Sequence, residues 1–227
     1  ELEVGTIIGV GSDRGRQIRI EDAGHHLYGM CLVNDWSARD IQAYEYQPLG
    51  PFLGKSFATS VSPWLVSLEA LAPHRLAAPK QDPPVAGYLS TDESWAFDLH
   101  LEVWLDTADM RAAGRPAVCL SRVPFADMYW TPAQQLAHMA VNGAGVNVGD
   151  LFASGTVSGR TQGSEGSLIE MSWNGQRPVE LPDGSRRTFL HDGDRVTLTG
   201  WAGSQPDSQI GLGSVTGTIT ASAAMGG

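Results

Sequence analysis

The sequence predicts one β-rich α+β domain over residues 1–227, and three observations carry that reading. Twenty-seven glycines and thirteen prolines demand frequent turns, which favours strands and loops over long helices. "WAFDLHLEVWL" (95–105) alternates with period two, so that Phe97, Leu99, Leu101, Val103 and Leu105 share one face of a strand. The best helix is "TPAQQLAHMAVNG" (131–143), with Thr131 as N-cap, Pro132 at the first helical position and Gly143 past the end. No repeat and no linker interrupts the chain, and 42% apolar residues suffice for a single core.

The elements follow in order. "ELEVGTIIGVG" (1–11) alternates and ends in glycine, which predicts a strand and then a turn. A short strand at 17–20 and a buried strand near 28–33 come next, and a short helix from Trp36 to Tyr46 is closed by Pro48. "PLGPFLGKS" (48–56) reads as a rigid non-regular loop, "SFATSVSPWLVSLEAL" (56–71) as a strand bent at Ser-Pro, and "APHRLAAPKQDPP" (72–84) as a proline-rich excursion. The strand at 95–105 turns through "TADMRAAGRP" (107–116) into "AVCLSR" (117–122) as an antiparallel hairpin. After the helix, short strands are predicted at 151–157, 167–173, 186–190 and 194–202, with turns at Asn174-Gly175 and Asp183-Gly184.

Charge and composition exclude several functions. Twenty-five acids against fifteen bases give a net charge of −10 with no Lys/Arg cluster, which argues against nucleic acid and anionic membrane as partners. No apolar run reaches the ~18 residues of a membrane span. Cys31 and Cys119 lie in apolar runs and read as reduced core residues of a cytoplasmic protein, with one disulfide as the alternative. The six histidines form no metal-binding pair.

The candidate chemistry gathers in the first sixty residues. Glu1 and Glu3 project from one face of a strand, an arrangement that a hard divalent cation would relieve, although E-x-E alone favours a solvated strand face. Asp35 ends the apolar strand 28–33. If helix follows directly, Asp35, Arg39, Gln42 and Tyr46 fall on a stripe about 60° wide, which reads as either a cleft wall or a wet face. Lys55, one of only two lysines, closes the Pro/Gly loop beside Ser56 and near Thr59; it suits an enolate or carboxylate oxygen, and otherwise is a snorkelling surface lysine. "VGDLFASGTVSG" (148–159) holds Thr156 and reads on its own as turn-strand-turn, and "SLIEMSW" (167–173) places Glu170 in a strand opposite Ile169.

Taken together, "ELE", "MCLVNDWSARDIQAYEYQPLGPFLGKSFATSVSPW", "KQDPP", "YWTPAQQLAHMAVNG", "GDLFASGTVSG" and "DGDRVTLTGW" resemble the fumarylacetoacetase family over nearly the whole chain. The resemblance implies a mixed β-sandwich roll, a homodimer, Mg²⁺ or Ca²⁺, and hydrolysis of the C–C bond of 4-fumarylacetoacetate, a small dicarbonyl acid, at the end of tyrosine and phenylalanine breakdown. It implies Glu1, Glu3 and Asp35 as metal ligands, with Lys55 and Thr59 at positions associated with the metal. It gives Arg39, Gln42 and Lys55 roles at the developing enolate, Gln42, Tyr46 and Thr156 roles in holding substrate, and Glu170 that of orienting a catalytic histidine. A protonated ammonium cannot ligate, so Lys55 is expected to act as a neighbouring charge.

The family's catalytic histidine, its fourth metal carboxylate and an SH3-like domain lie upstream of the E-x-E strand. The chain is therefore expected to be a catalytic domain from a longer protein, inactive alone. Tyr44 stands where relatives often carry tryptophan and is expected to pack. Acylpyruvate hydrolysis, oxaloacetate decarboxylation and hydroxymuconate-type isomerisation are the alternatives within the superfamily. A non-catalytic β-module is the alternative outside it.

Overall fold

Two antiparallel sheets share one apolar core in the computed structural model, which describes residues 1–222, so that the last five residues of the predicted domain lie outside the description. The first sheet holds β1 (Leu2–Ile8), β2 (Leu27–Asp35), β3 (Thr59–Val61), β4 (Val66–Ser67) and, later in the chain, a strand at Leu151–Ala153 that pairs with the free side of β1. β3 and β4 divide the other side of β2 between them. The second sheet is built from β5 (Leu99–Asp106), β6 (Val118–Pro124), β8 (Arg195–Ala202) and β9 (Ile210–Thr218), in the order β9-β8-β5-β6, and the first-sheet strand Leu151–Ala153 is β7.

Alternation decides what each sheet buries. Leu2, Val4, Met30 and Leu32 of the first sheet join Leu99, Leu101, Leu105, Leu198 and Leu212 of the second in one buried cluster. At about 25 cal/mol per Å² of apolar surface, these fully buried side chains supply the main folding drive. The sheets approach closely at Gly200, where a Cβ would stand 2.8 Å from Leu101 Cδ2 and 3.2 Å from Leu32 Cδ2. The opposite face of β1 and β2 carries Glu3 and Asp35, with Glu1 just ahead of β1 on the same side.

Four helices matter for the site: α1 (Arg39–Glu45), α2 (Leu53–Ser56), α3 (Pro132–Ala140) and α4 (Leu168–Met171). α3 has the predicted Thr131 N-cap, Pro132 start and Gly143 beyond its end; the cap is a full capping box with Gln134, and Gly143 has positive φ. No helix of the described residues is long and apolar enough to cross a membrane.

Several expectations are corrected. Residues 17–20 are irregular, and "SLIEMSW" forms the helical turn α4 because a short apolar run fits both periods and Ser167 enters it extended. Glu170 is therefore on a helix. The turn "TADMRAAGRP" contains a helix at Ala108–Ala112 whose Thr107 side chain caps it. The "PLGPFLGKS" loop ends in α2, and the SLEAL end of the bent strand is a helical turn capped by Ser67. The strands predicted at 151–157 and 186–190 shorten to Leu151–Ala153 and Arg186–Arg187. β9 was not predicted: its glycines at 211, 213 and 217 dilute the strand signal, and pairing with β8 compensates. Tyr44 does not pack, being 92% exposed.

Candidate active site

Antiparallel register brings three acids together. Leu2 points into the core, so Glu1 and Glu3 on either side of it point out of the other face. The Asp35 amide donates to the Glu1 carbonyl at 3.1 Å, which sets Asp35 beside Glu1 at the end of β2. One carboxylate oxygen from each of Glu1, Glu3 and Asp35 lies within 4.8 Å of the others. Two oxygens bound to one hard cation stand at most ~5 Å apart, so the three lie within reach of a shared ion.

The three do not share their charge equally. Burial, then the Asp35 and Glu1 charges, push the Glu3 carboxyl up to about 7. Burial also acts to raise Glu1, but hydrogen bonds from Lys55 and Thr156, with the Lys55 charge, hold it down at about 2. The two neighbouring acids are thus pushed in opposite directions.

The cations arrive from two helices. Lys55 on α2 sets its Nζ 2.7 Å from Asp35 Oδ2 and 2.9 Å from Glu1 Oε1, and also donates to the Asp35 carbonyl at 3.2 Å. Arg39 at the start of α1 places Nη2 2.9 Å from Glu1 Oε1 and donates through Nη1 to Gln42 Oε1 at 2.7 Å. The Thr156 hydroxyl donates to Glu1 Oε2 at 2.8 Å. Glu3 accepts from the Gly155 amide at 3.2 Å.

The predicted helical stripe is corrected at its first member. α1 begins at Arg39 because Trp36 turns inward, 9% exposed, with its indole N–H on Ser60 Oγ at 2.8 Å. Asp35 is delivered by the strand, whereas Arg39, Gln42 and Tyr46 keep helical spacing. These three line a cleft of about 1120 Å³ together with Glu1 and with apolar side chains such as Leu168 and Phe189.

Two predicted residues stand further off. Thr59 is exposed on β3, directly across from Asp35, and no hydrogen bond of its hydroxyl to a described residue is formed. Glu170 is exposed; its carboxylate accepts from Ser158 Oγ at 2.8 Å and Ser167 Oγ at 2.7 Å, and none of the described histidines touches it. The histidines read as structural: His138 meets the Tyr88 hydroxyl at 2.8 Å. Cys31 and Cys119 are both free thiols.

Sequence reasoning missed Ser37, whose hydroxyl donates to Glu1 Oε1 at 3.3 Å, and Glu45, which binds the backbone of α2. Ser37 could have been suspected from its place between Asp35 and Arg39. Glu45 had no signal, because its partners are backbone amides.

Known proteins bear on this arrangement. A family model described as "Fumarylacetoacetate (FAA) hydrolase C-terminal" matches residues 1–220. A fumarylacetoacetase of Arabidopsis thaliana is 48% identical over 98% of this chain and 51% of its own length, and one of Homo sapiens is 48% identical over 96% of this chain and 51% of its own. The chain therefore spans about half the length of the curated relatives it matches. Among solved structures, a fumarylacetoacetate hydrolase from Exiguobacterium antarcticum superposes with a TM-score of 0.56 at 19% identity, covering 98% of this chain and 56% of that one. That likeness shows the fold alone.

Proposed function

We propose a reaction from one premise: the chain belongs to the fumarylacetoacetate hydrolase C-terminal family. The reaction is hydrolysis of the C–C bond of 4-fumarylacetoacetate to fumarate and acetoacetate, in tyrosine and phenylalanine breakdown. The observation that carries it is the meeting of Glu1, Glu3 and Asp35 within 4.8 Å beside the Lys55 ammonium, with Glu1 also lining the cleft that Arg39, Gln42 and Tyr46 border.

The donor set fits a hard divalent cation. Three carboxylates offer only oxygen, and their crowding within 4.8 Å is what a dication would relieve. Glu1, Glu3 and Asp35 would hold Mg²⁺ or Ca²⁺, which when bound supplies Lewis-acid polarisation of the 1,3-dicarbonyl oxygens. Lys55 keeps its protons on Asp35 and Glu1 and acts as a neighbouring charge; Thr59, across from Asp35, would border the site.

The chain's own groups would then share the work. A guanidinium only donates, so Gln42 must turn its oxygen to Arg39, leaving the amide N–H groups to donate to a substrate oxygen. Tyr46 and Thr156 would hold the acid's polar ends. Glu170, gripped by Ser158 and Ser167, would orient the base that activates water. Water would give a proton to that base as its oxygen bonds to the carbonyl carbon and the carbonyl π pair moves onto oxygen. As the C=O re-forms, the C–C electron pair would leave as the acetoacetate enolate, which takes up the proton. Arg39, Lys55 and Gln42 would donate to the negative charge that develops.

Two further readings belong with this one. Leu49, Phe52, Leu53, Phe57 and Trp64 are all more than half exposed along 49–64, and this apolar strip supports a homodimer. Two free thiols fit a cytoplasmic placement.

The test is turnover by the full-length protein of 4-fumarylacetoacetate beside acylpyruvates. Preferential cleavage of the first supports the assignment. Equal or greater turnover of acylpyruvates would move the chain to another chemistry of the superfamily.

A further inference from the structure

Lys55 reaches the carboxylates from a four-residue helical turn, and so short a turn cannot hold itself. Its stability must come from outside, and the contacts name the source. The Glu45 carboxylate, at the end of α1, accepts from three consecutive amides of the turn: Phe52 at 2.7 Å, Leu53 at 3.1 Å and Gly54 at 2.6 Å. The opposite end of α1 is tied to the same turn, because the Ala38 amide donates to the Gly54 carbonyl at 2.8 Å. Between the two ties the backbones touch: a Cβ on Gly54 would stand 2.8 Å from both the Gln42 nitrogen and its Cβ.

We infer that Glu45 is a positioning residue, whose grip on the amides of Phe52, Leu53 and Gly54 locks α2 onto α1 and thereby aims Lys55 at Asp35 and Glu1. The turn's first three N–H groups have no partner within so short a helix, and one carboxylate satisfies all of them. Arg39, Gln42 and Lys55 then move as one body. An error in the turn would displace the ammonium while leaving the strands that carry the acids untouched. The catalytic consequence rests on the function proposed above, but the aiming of Lys55 does not.

The chain's two lysines make a clean measurement possible. Trace acetylation with acetic anhydride, followed by peptide mass spectrometry, gives the rate at Lys55 relative to exposed Lys80 in the same molecule. In the wild type Lys55 should lag, since its side chain is 17% exposed and its protons are held by carboxylate oxygens. Glu45→Ala should raise the Lys55/Lys80 ratio about tenfold, the scale of one lost charge-assisted hydrogen bond. Glu45→Gln, which keeps an acceptor oxygen without the charge, should fall between. Tyr44→Ala, removing the exposed neighbour, should leave the ratio at the wild-type value.

An unchanged ratio in Glu45→Ala, or an equal rise in Tyr44→Ala, would overturn the inference. If Glu45→Ala fails to fold, Glu45→Gln decides alone: a raised ratio upholds the role and a wild-type ratio ends it. Failure here would leave the hydrolase reading standing. Absence of turnover would leave the labelling result standing.

Discussion

The Lys55 ammonium stands 2.7 Å from the Asp35 carboxylate, across twenty residues of chain that leave the first sheet as α1 and return to it through α2. The pair ties the two helices to the strand end that carries the acids. It also places a positive charge beside a cluster that would otherwise be three carboxylates.

Lys55→Met removes that charge while keeping most of the side chain's length. At pH 8 without metal, the variant should lose about 1–3 kcal/mol of stability, the cost of leaving partly buried carboxylates unpaired. Urea unfolding measures it, and an unchanged midpoint would show that the pair is idle. Turnover of the full-length enzyme should fall about 10²–10³-fold.

Asp35→Ala deletes one of the three candidate ligands without touching Lys55's backbone support. Calorimetric binding of Mg²⁺ and Ca²⁺ should disappear and turnover with it. Wild-type affinity in the variant would place any ion elsewhere.

The Glu3 carboxyl, raised to about 7 by burial and by Asp35 and Glu1, makes metal-free stability depend on pH. A raised acid stabilises the fold fully below its ordinary value of 4.5 and loses that contribution as pH climbs through about 7. The loss should be about 3 kcal/mol. Glu1 titrates oppositely and lower, near 2, so its window does not overlap. Glu3→Gln should flatten the profile between pH 4.5 and 7, and Mg²⁺ binding to the wild type below about 7 should release a proton that the variant does not release.

Gly54→Ala would drive a Cβ against the backbone of Gln42 at 2.8 Å, forcing α2 off α1. Stability should drop by about 1–3 kcal/mol. A melting temperature equal to that of the wild type would mean that the two helices are not rigidly docked.

Cys31 is 2% exposed and burial pushes its thiol up to about 11, so the reactive thiolate is scarce at neutral pH. Ellman's reagent should label it only as fast as the protein unfolds, and at once in guanidinium. Rapid native labelling of Cys31 would contradict its place on β2.

Much of the architecture could be read from spacing alone. Phe97, Leu99, Leu101, Val103 and Leu105 announce β5 and, at Ala96–Phe97, a two-residue strand before it because alternation is a local consequence of the pleat. Thr131, Pro132 and Gly143 mark α3 because capping is settled within a few residues. Glu1, Glu3, Asp35 and Lys55 were picked out through their motif, and the fold brings their side chains together. Short apolar segments were misread where strand and helix periods coincide, as at Leu168–Met171. β9 was missed where glycines hid a strand that pairing with β8 makes stable.

By itself, then, the sequence determined the strand-rich class, the buried faces and the kinds of group available for chemistry, since each follows from near neighbours along the chain. Tertiary structure alone decided that Asp35 would lie beside Glu1, that burial would push the Glu3 carboxyl up, and that Glu45 would hold the turn behind Lys55. Those outcomes depend on register, burial and backbone amides brought together across many residues, and water competes for every one of them until the fold excludes it.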